Sequence, residues 1–401
     1  MKRLYFTIFC LFFFQIFTGQ DETVKFITKQ GFENVKHISA NGTEFFYLES
    51  KAYSTAGRLL NSVCGNVDSV SRYLKGDRIN VTITENRFPV FNLQSSVYLR
   101  DKNSRLIWRS GFQMNEALKV LRQDGKMKRY HNSGFGKVDI LLYPQFRFRN
   151  SVLTRIYLFQ INLNPTIETS FWKGSKVTAQ VIIPLLNEYS LEESRIRPGF
   201  LTISQDFRLP GNIYGRATVG NFNQFRAGAD LKLYKPVGDK IGIYGQAGIT
   251  AMSIPLFDSW YYTDLNKYTW KAGANYLMDR WDLILNISVG RYLANDYSAR
   301  GEVARYFKNG TVGFYVQSIQ IDDYPLNGGF FFSVALPPYV HKRKRSIRIS
   351  TANNFNLEYM ARPYSNEGRI YQTSPDESSS ENFFNRMKLN QIIRKREKII
   401  H

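Results

Sequence analysis

Phe225-Arg226-Ala227-Gly228-Ala229-Asp230-Leu231-Lys232-Leu233 decides the fold of this 401-residue chain. In an extended backbone successive side chains point to opposite faces, so Phe225, Ala227, Ala229, Leu231 and Leu233 share one side and Arg226, Asp230 and Lys232 the other. The same alternation sets Val177, Ala179, Val181 and Ile183 against Lys176, Thr178 and Gln180. It also sets Trp281, Leu283, Leu285, Ile287 and Val289 against Asp282, Asn286 and Ser288. It recurs at Leu201 to Phe207, Ile213 to Val219, Ile241 to Ala251, Tyr268 to Tyr276 and Val312 to Val316. Twelve such segments fall between Lys137 and Leu336. The expected fold is mainly β: an antiparallel transmembrane β-barrel of about 12 strands. A half-buried soluble sheet alternates too, so an aromatic-rich β-sandwich stays open on periodicity alone.

The connections favour the barrel. If the first strand leaves the periplasm, alternate connections fall outside, and in a barrel the outer ones are the long ones. Short periplasmic turns are expected near Lys173-Gly174, Leu209 to Asn212, Pro236 to Asp239, Asp279-Arg280 and Lys308 to Gly310. The longest connections, Pro184 to Arg195 and Ser253 to Leu265, both land on the outer side. The second carries Trp260, Tyr261 and Tyr262, readable as interface girdle or as a platform for sugars. Phe, Tyr and Trp make up 15% of the chain although its mean hydropathy is only -0.33, as barrels with aromatic girdles require.

The N-terminus reads as an export signal over residues 1–20. Lys2 and Arg3 precede a nearly unbroken apolar run from Leu4 to Phe17, which ends at Thr18-Gly19-Gln20. About 14 apolar residues are too few for the roughly 20 of a spanning helix. Cys10 lies within that run without the small residue a lipoprotein site needs, which leaves Cys64 alone and excludes an internal disulfide or a cysteine metal cluster in the mature chain.

Residues 21–130 predict a small periplasmic α/β domain. Phe32 to Ile38 and Glu44 to Leu48 flank the hairpin signal Asn41-Gly42. Ser54 or Thr55 can cap a helix with Leu59, Leu60, Val63, Cys64, Val67, Val70, Tyr73 and Leu74 on its apolar face, ending near Gly76. Strands Ile79 to Ile83 and Val90 to Leu99 follow, then a helix around Asn115 to Arg122. The barrel is expected over 131–360. A flexible basic periplasmic tail is expected over 361–401, with Asp376 to Glu381 as a linker and Met387 to Ile400 as a candidate helix.

Arg197-Pro198-Gly199-Phe200, Gln205 to Gly211, Thr218-Val219-Gly220-Asn221-Phe222, Trp260-Tyr261-Tyr262, Val289 to Leu293, Val303 to Phe307 and Gly328 to Pro338 resemble the YjbH family, particularly its Bacteroidota members. The likeness runs from about residue 25 to 375. It implies an exported outer-membrane barrel serving the secretion or assembly of extracellular or capsular polysaccharide, but no motif in it is a catalytic signature. The chain is short enough for only one barrel, where larger relatives have more.

Four histidines, at 37, 131, 341 and 401, lie outside the expected strands, so a His-based triad or a zinc site is not expected, and no cofactor or metal is called for. The polar register collects Lys176, Arg216, Arg226, Lys232, Lys267, Lys271 and Arg300 with Asp206, Asp230, Asp282 and Glu302; Tyr214, Tyr244, Thr250 and Tyr315 share it. These charges can cross-pair to fill a narrow lumen, or form a basic track for an anionic glycan. The net charge of +21 in an exported chain points to outer-membrane lipid or lipopolysaccharide, an anionic polysaccharide and periplasmic export components as partners, and away from nucleic acid. The leading expectation is a non-catalytic barrel aiding polysaccharide export. A structural or adhesion barrel without conduction and a carboxylate-based glycan-modifying enzyme remain open.

Overall fold

The computed structural model describes residues 22–110, 114–124, 130–150, 156–320, 325–362, 366–377 and 387–400. The expected export signal lies outside them. The described residues fall into two compact units, one within 22–134 with 392–400, the other within 135–391.

The first unit is a five-stranded sheet, order β1-β2-β3-β4-β5, with helices. Helix α1 covers residues 22–29. Strands β1 (Glu33–Ala40) and β2 (Thr43–Glu49) pair around Asn41 and Gly42, both at positive φ, the conformation a two-residue hairpin demands. Helix α2 (Ala56–Val70) is capped by Thr55, whose side chain accepts from the Arg58 N–H, and it buries Leu60, Val63, Cys64, Val67 and Val70. It then carries the chain to β3 (Arg78–Glu85), which lies parallel to β2. The helix ends six residues before Gly76 in a 3₁₀ turn, Ser71–Tyr73, which throws Tyr73 into solvent and off the apolar face expected of it. Strands β4 (Phe88–Ser96) and β5 (Arg109–Ser110) and helix α3 (Met114–Gln123) complete the unit. Ala117 of α3 packs on Ile38, Phe45 and Tyr47.

Glu44 ties this unit together. Its carboxylate meets His37 Nε2 at 2.7 Å and accepts from the Gly76 N–H at 2.9 Å and from Ser39, while His37 stacks on Phe46 with ring centroids 4.3 Å apart. Burial pushes the carboxyl up, but these bonds outweigh it and hold Glu44 below its ordinary value of 4.5. A depressed carboxylate contributes stability in full above its unfolded value and loses it as pH falls through the folded one. Cys64 in the core reports opening of this unit: its labelling rate in mild denaturant, taken relative to that of the unfolded chain at the same pH so that thiolate reactivity cancels, is expected to rise as pH drops below about 4.5, and Glu44→Gln is expected to flatten that dependence.

The second unit is one large sheet, order β19-β6-β7-β8-β9-β10-β11-β12-β14-β15-β16-β17-β18-β20, with β13 added on β12. The strands are β6 (Val138–Asn150), β7 (Tyr157–Thr169), β8 (Ser175–Asn187), β9 (Arg197–Leu209), β10 (Ile213–Phe222), β11 (Arg226–Val237) and β12 (Ile241–Pro255). Then come β13 (Trp260–Tyr262), β14 (Lys267–Met278), β15 (Leu283–Arg291), β16 (Tyr297–Phe307), β17 (Gly310–Ile319) and β18 (Leu326–Ala335), and finally β19 (Ile347–Thr351) and β20 (Asn354–Met360). From β6 to β18 each successive pairing is antiparallel. Short turns holding Gly174, Gly211 with Asn212, Gly238 and Asp282 at positive φ gather at one end, the turn end. The longer connections gather at the other, the loop end.

The sheet's margins are brought together by residues 347–360. β19 lies parallel on β6 from Ile347↔Val138 to Thr351↔Leu142, and the Ala352 N–H donates to the Leu142 carbonyl at 2.9 Å. Past Ala352 the strand transfers to β18, pairing antiparallel as β20. At the loop end only side chains bridge β20 and β6: Phe148 stacks on Tyr359 at 5.0 Å, and Asn150 accepts from Tyr359 Oη and donates to the Ala361 carbonyl. Among the described residues no continuous backbone ladder joins the margins. The basic run at 341–345 is drawn in as well, Arg343 meeting buried Asp139 at 2.6 Å and Arg348 the same carboxylate at 2.8 Å.

The sheet is inside out. On its open face Ile203, Val219, Leu231, Ile243, Val289, Val303 and Val316 are exposed, with Ile287 and Phe314 both at 66%; on its enclosed face Thr218, Asp206, Thr250, Ser288 and Gln317 are buried, Asp230 at 3% and Lys232 at 7%. Exposed rings band the open face at both ends: Phe171, Trp172, Tyr276, Trp281 and Phe307 at the turn end, Tyr157, Phe159, Trp260, Tyr268, Trp270 and Tyr297 at the loop end. A soluble sheet buries the apolar side of its alternation; this one buries the polar side. Among the described residues no helix is long and apolar enough to cross a membrane.

Candidate functional site

The enclosed face is occupied by the chain's own residues 366–377, a strap running from the loop end toward the turn end. Gly368 donates its N–H to Asp296 and accepts at its carbonyl from Gln317 Nε2 at 2.8 Å; the Arg369 carbonyl accepts from the Leu293 N–H. Tyr371 is buried, stacked on Phe222 at 5.0 Å, and donates its hydroxyl to Asp230 Oδ2 at 3.0 Å. Its oxygen sits over Gly248, where an added Cβ would lie 1.8 Å away, so only glycine seats it. Gln372 and Asn223 exchange three hydrogen bonds, at 2.6, 2.7 and 3.4 Å. Lys232 Nζ donates to Thr373 Oγ1 at 2.9 Å and pairs with Glu377; Lys176 Nζ reaches Asp376 at 3.4 Å and Glu168 at 3.0 Å. The segment expected to begin a flexible tail is therefore ordered, held by partners 51 to 200 positions distant in sequence, from Gln317 with Gly368 (|i−j| 51) to Lys176 with Asp376 (|i−j| 200).

At the turn end the enclosed face turns apolar. Leu277, Ile284 and Tyr306 form a pocket filled by Met387, the first residue of helix α4 (Met387–Ile400), and Gln391 Nε2 donates to Asp282 at 2.7 Å.

Most residues singled out in sequence lie on this face, and most are paired. Arg216 forms a two-pronged bond to Asp206 at 2.6 and 2.9 Å, directly across from it on β9. Arg300 donates to Glu302 at 2.6 Å and to Glu358 at 2.9 Å and lies 3.6 Å over the Tyr315 ring. Asn286 donates on to Glu302 and accepts from Tyr244 Oη, so both glutamates of this cluster answer one guanidinium. Lys271 sits over the Tyr244 ring at 5.9 Å. Asp282 departs from expectation: it is a turn residue at positive φ, not a member of the strand's polar register. Arg226 is buried at 8% exposure, and neither an ion pair nor a hydrogen bond joins its guanidinium to a described residue; its Nε is enclosed and unpartnered.

A cavity of about 700 Å³ lies beside the strap. Arg147, Arg149, Tyr189, Glu193, Arg197 and Arg369, none of them a site candidate from sequence although Arg197 opens a family-like motif, line it with Arg226 and Lys271. Tyr189 is covered by two guanidinium groups, Arg147 at 5.1 Å and Arg149 at 4.5 Å. Arg147 and Arg149 could have been found, since both keep the polar register of Phe146-Arg147-Phe148-Arg149. Arg369 and Tyr371 carry no periodic signal.

A mainly β chain built on a large antiparallel sheet, apolar outside and polar within, is the class that fold and site define. Within it, residues 185–331 match the YjbH family model, described as exopolysaccharide biosynthesis protein YbjH. No curated protein matches the chain. Among solved structures, a triple mutant of the Rh. blastica porin is similar at 10% identity, covering 49% of this chain and 89% of the porin, with a TM-score of 0.29. A loop-deleted OmpT, an outer membrane protein of Vibrio cholerae, is similar at 7% identity over 49% of this chain and 86% of its own, with a TM-score of 0.27. Likenesses this low define neither the function of this chain nor its site.

Proposed function

We propose that this chain is an outer-membrane β-barrel protein that aids export or assembly of an extracellular polysaccharide, without a catalytic step of its own. The observation that carries the reading is the inverted sheet: a continuous apolar, ring-banded outer face is stable only against lipid, and a polar enclosed face suits water or sugar hydroxyls. The YjbH match supplies the polysaccharide connection. In this reading the twelve antiparallel strands from β6 to β18, leaving out the short β13, are joined into a ring by residues 347–360 acting as a thirteenth. An odd count makes one seam parallel, which is the pairing of β19 with β6. The turn end faces the periplasm, residues 21–130 and the basic C-terminus are periplasmic, and the outer leaflet's lipopolysaccharide surrounds the loop end.

Deleting the gene is expected to abolish secreted polymer while polymer still accumulates inside the cell; unchanged secretion contradicts the reading. The strap supports a second reading, a structural or adhesion barrel that conducts nothing, because it fills the enclosed face. The two part on whether the strap can leave.

A further inference from the structure

We propose that the cavity beside the strap is a binding site for an anionic glycan, with Arg226 as its anchor. The inference rests on the polysaccharide reading and adds the charge class of the ligand. Eight cationic side chains line the cavity against four carboxylates, and the carboxylates are already committed: Glu193 to Arg147 at 3.0 Å, Glu377 to Lys232, Glu302 and Glu358 to Arg300. Arg149, Arg226, Lys271 and Arg369 line the same space with no carboxylate in ion-pair range among the described residues.

Arg226 is the most telling of them. Its Nε is shut off from water with no partner, which is disfavoured unless an acceptor arrives, and the planar fork of a guanidinium fits a carboxylate, sulfate or phosphate oxygen pair. Arg369 offers a second enclosed, unpartnered Nε. An uncharged sugar would leave the excess charge unanswered; a chain with an acid on its repeat would answer it at several points.

The test uses the purified full-length protein in detergent micelles, titrated calorimetrically with a hexagalacturonate and with maltohexaose of equal length. The galacturonate is expected to bind at least about tenfold more tightly, with affinity falling steeply as salt is raised. Arg226→Gln is expected to weaken galacturonate binding about tenfold or more, the loss of one charge-assisted bond, while Arg226→Lys restores part of it. Retained gel-mobility shift on heating verifies that each variant is folded; should Arg226→Gln not fold, Lys271→Gln tests the same cavity from a less buried position. No galacturonate binding, equal affinity for maltohexaose, or unchanged affinity in the folded variant overturns the proposal. Those results, obtained alongside lost secretion on gene deletion, would remove the acidic site and leave the export reading intact. Galacturonate binding with unaltered secretion would do the opposite.

Discussion

Replacing Asp376 and Glu377 together by Asn and Gln is expected to convert a protein that is closed in planar lipid bilayers into one that opens intermittently, and excising residues 366–377 into one that conducts persistently. Glu377 is the partner of Lys232, and Asp376 reaches Lys176; together they hold the turn-end half of the strap. A hydrogen bond to a charged group contributes about 1.5–3 kcal/mol, and less where solvent screens it, as it does for Asp376, whose side chain is 49% exposed. The pair is therefore worth roughly 2–4 kcal/mol, a shift on the order of thirty- to several-hundred-fold in the ratio of docked to released strap. Tyr371, the Gln372–Asn223 exchange and the bonds at Gly368 still hold the loop-end half, so release is partial in this variant and complete when residues 366–377 are excised. An eight-stranded barrel is filled by its own side chains and sixteen strands leave a channel; a ring of twelve or thirteen emptied of its strap lies between. Native-like silence after excision would mean that the enclosed face is sealed without the strap, and would favour the non-conducting reading.

Ile287→Arg is expected to destabilise the folded protein in lipid by about 2–4 kcal/mol, the depth-dependent cost of arginine near the bilayer midplane. Ile287 is the central residue of β15 and 66% exposed. Were the sheet in water, such a surface change would fall within about ±0.5 kcal/mol. The same substitution at Phe307, beside the turn end, is expected to cost about 0–1 kcal/mol. Urea unfolding from vesicles measures both variants against the native protein, and equal, negligible costs at both positions would mean that no lipid touches this face.

The turns and the facing of the strands were legible because each depends on local chemistry: Asn41-Gly42, Lys173-Gly174 and Gly211-Asn212 permit positive φ, and alternation from Arg226 to Leu233 fixes which side chains meet. The strap was not. Arg369-Ile370-Tyr371-Gln372-Thr373-Ser374-Pro375-Asp376-Glu377 has no period and little apolar surface of its own; its order comes from partners supplied by β8, β10, β11 and β17, which composition does not register. Exceptions to the alternation carried information of their own. Leu277, Ile284 and Tyr306 are apolar residues in the polar register, and they form the seat of Met387. Within the site, membership of the polar face followed from alternation, whereas pairing did not: nothing in the sequence separates Arg216, satisfied by Asp206, from Arg226, left without a counter-charge.

Spin labels placed singly along β11 and β15 in a Cys64→Ser background, in lipid vesicles, bear most directly on the inverted sheet. Labels at 229, 231, 287 and 289 are expected to collide strongly with oxygen, which concentrates in lipid, and weakly with a water-soluble nickel chelate. Labels at 230, 286 and 288 are expected to be shielded from oxygen, giving a period of two along each strand. Nickel access at 231, 287 and 289 equal to that of a surface loop, or an oxygen profile without the alternation, would contradict a membrane-spanning sheet.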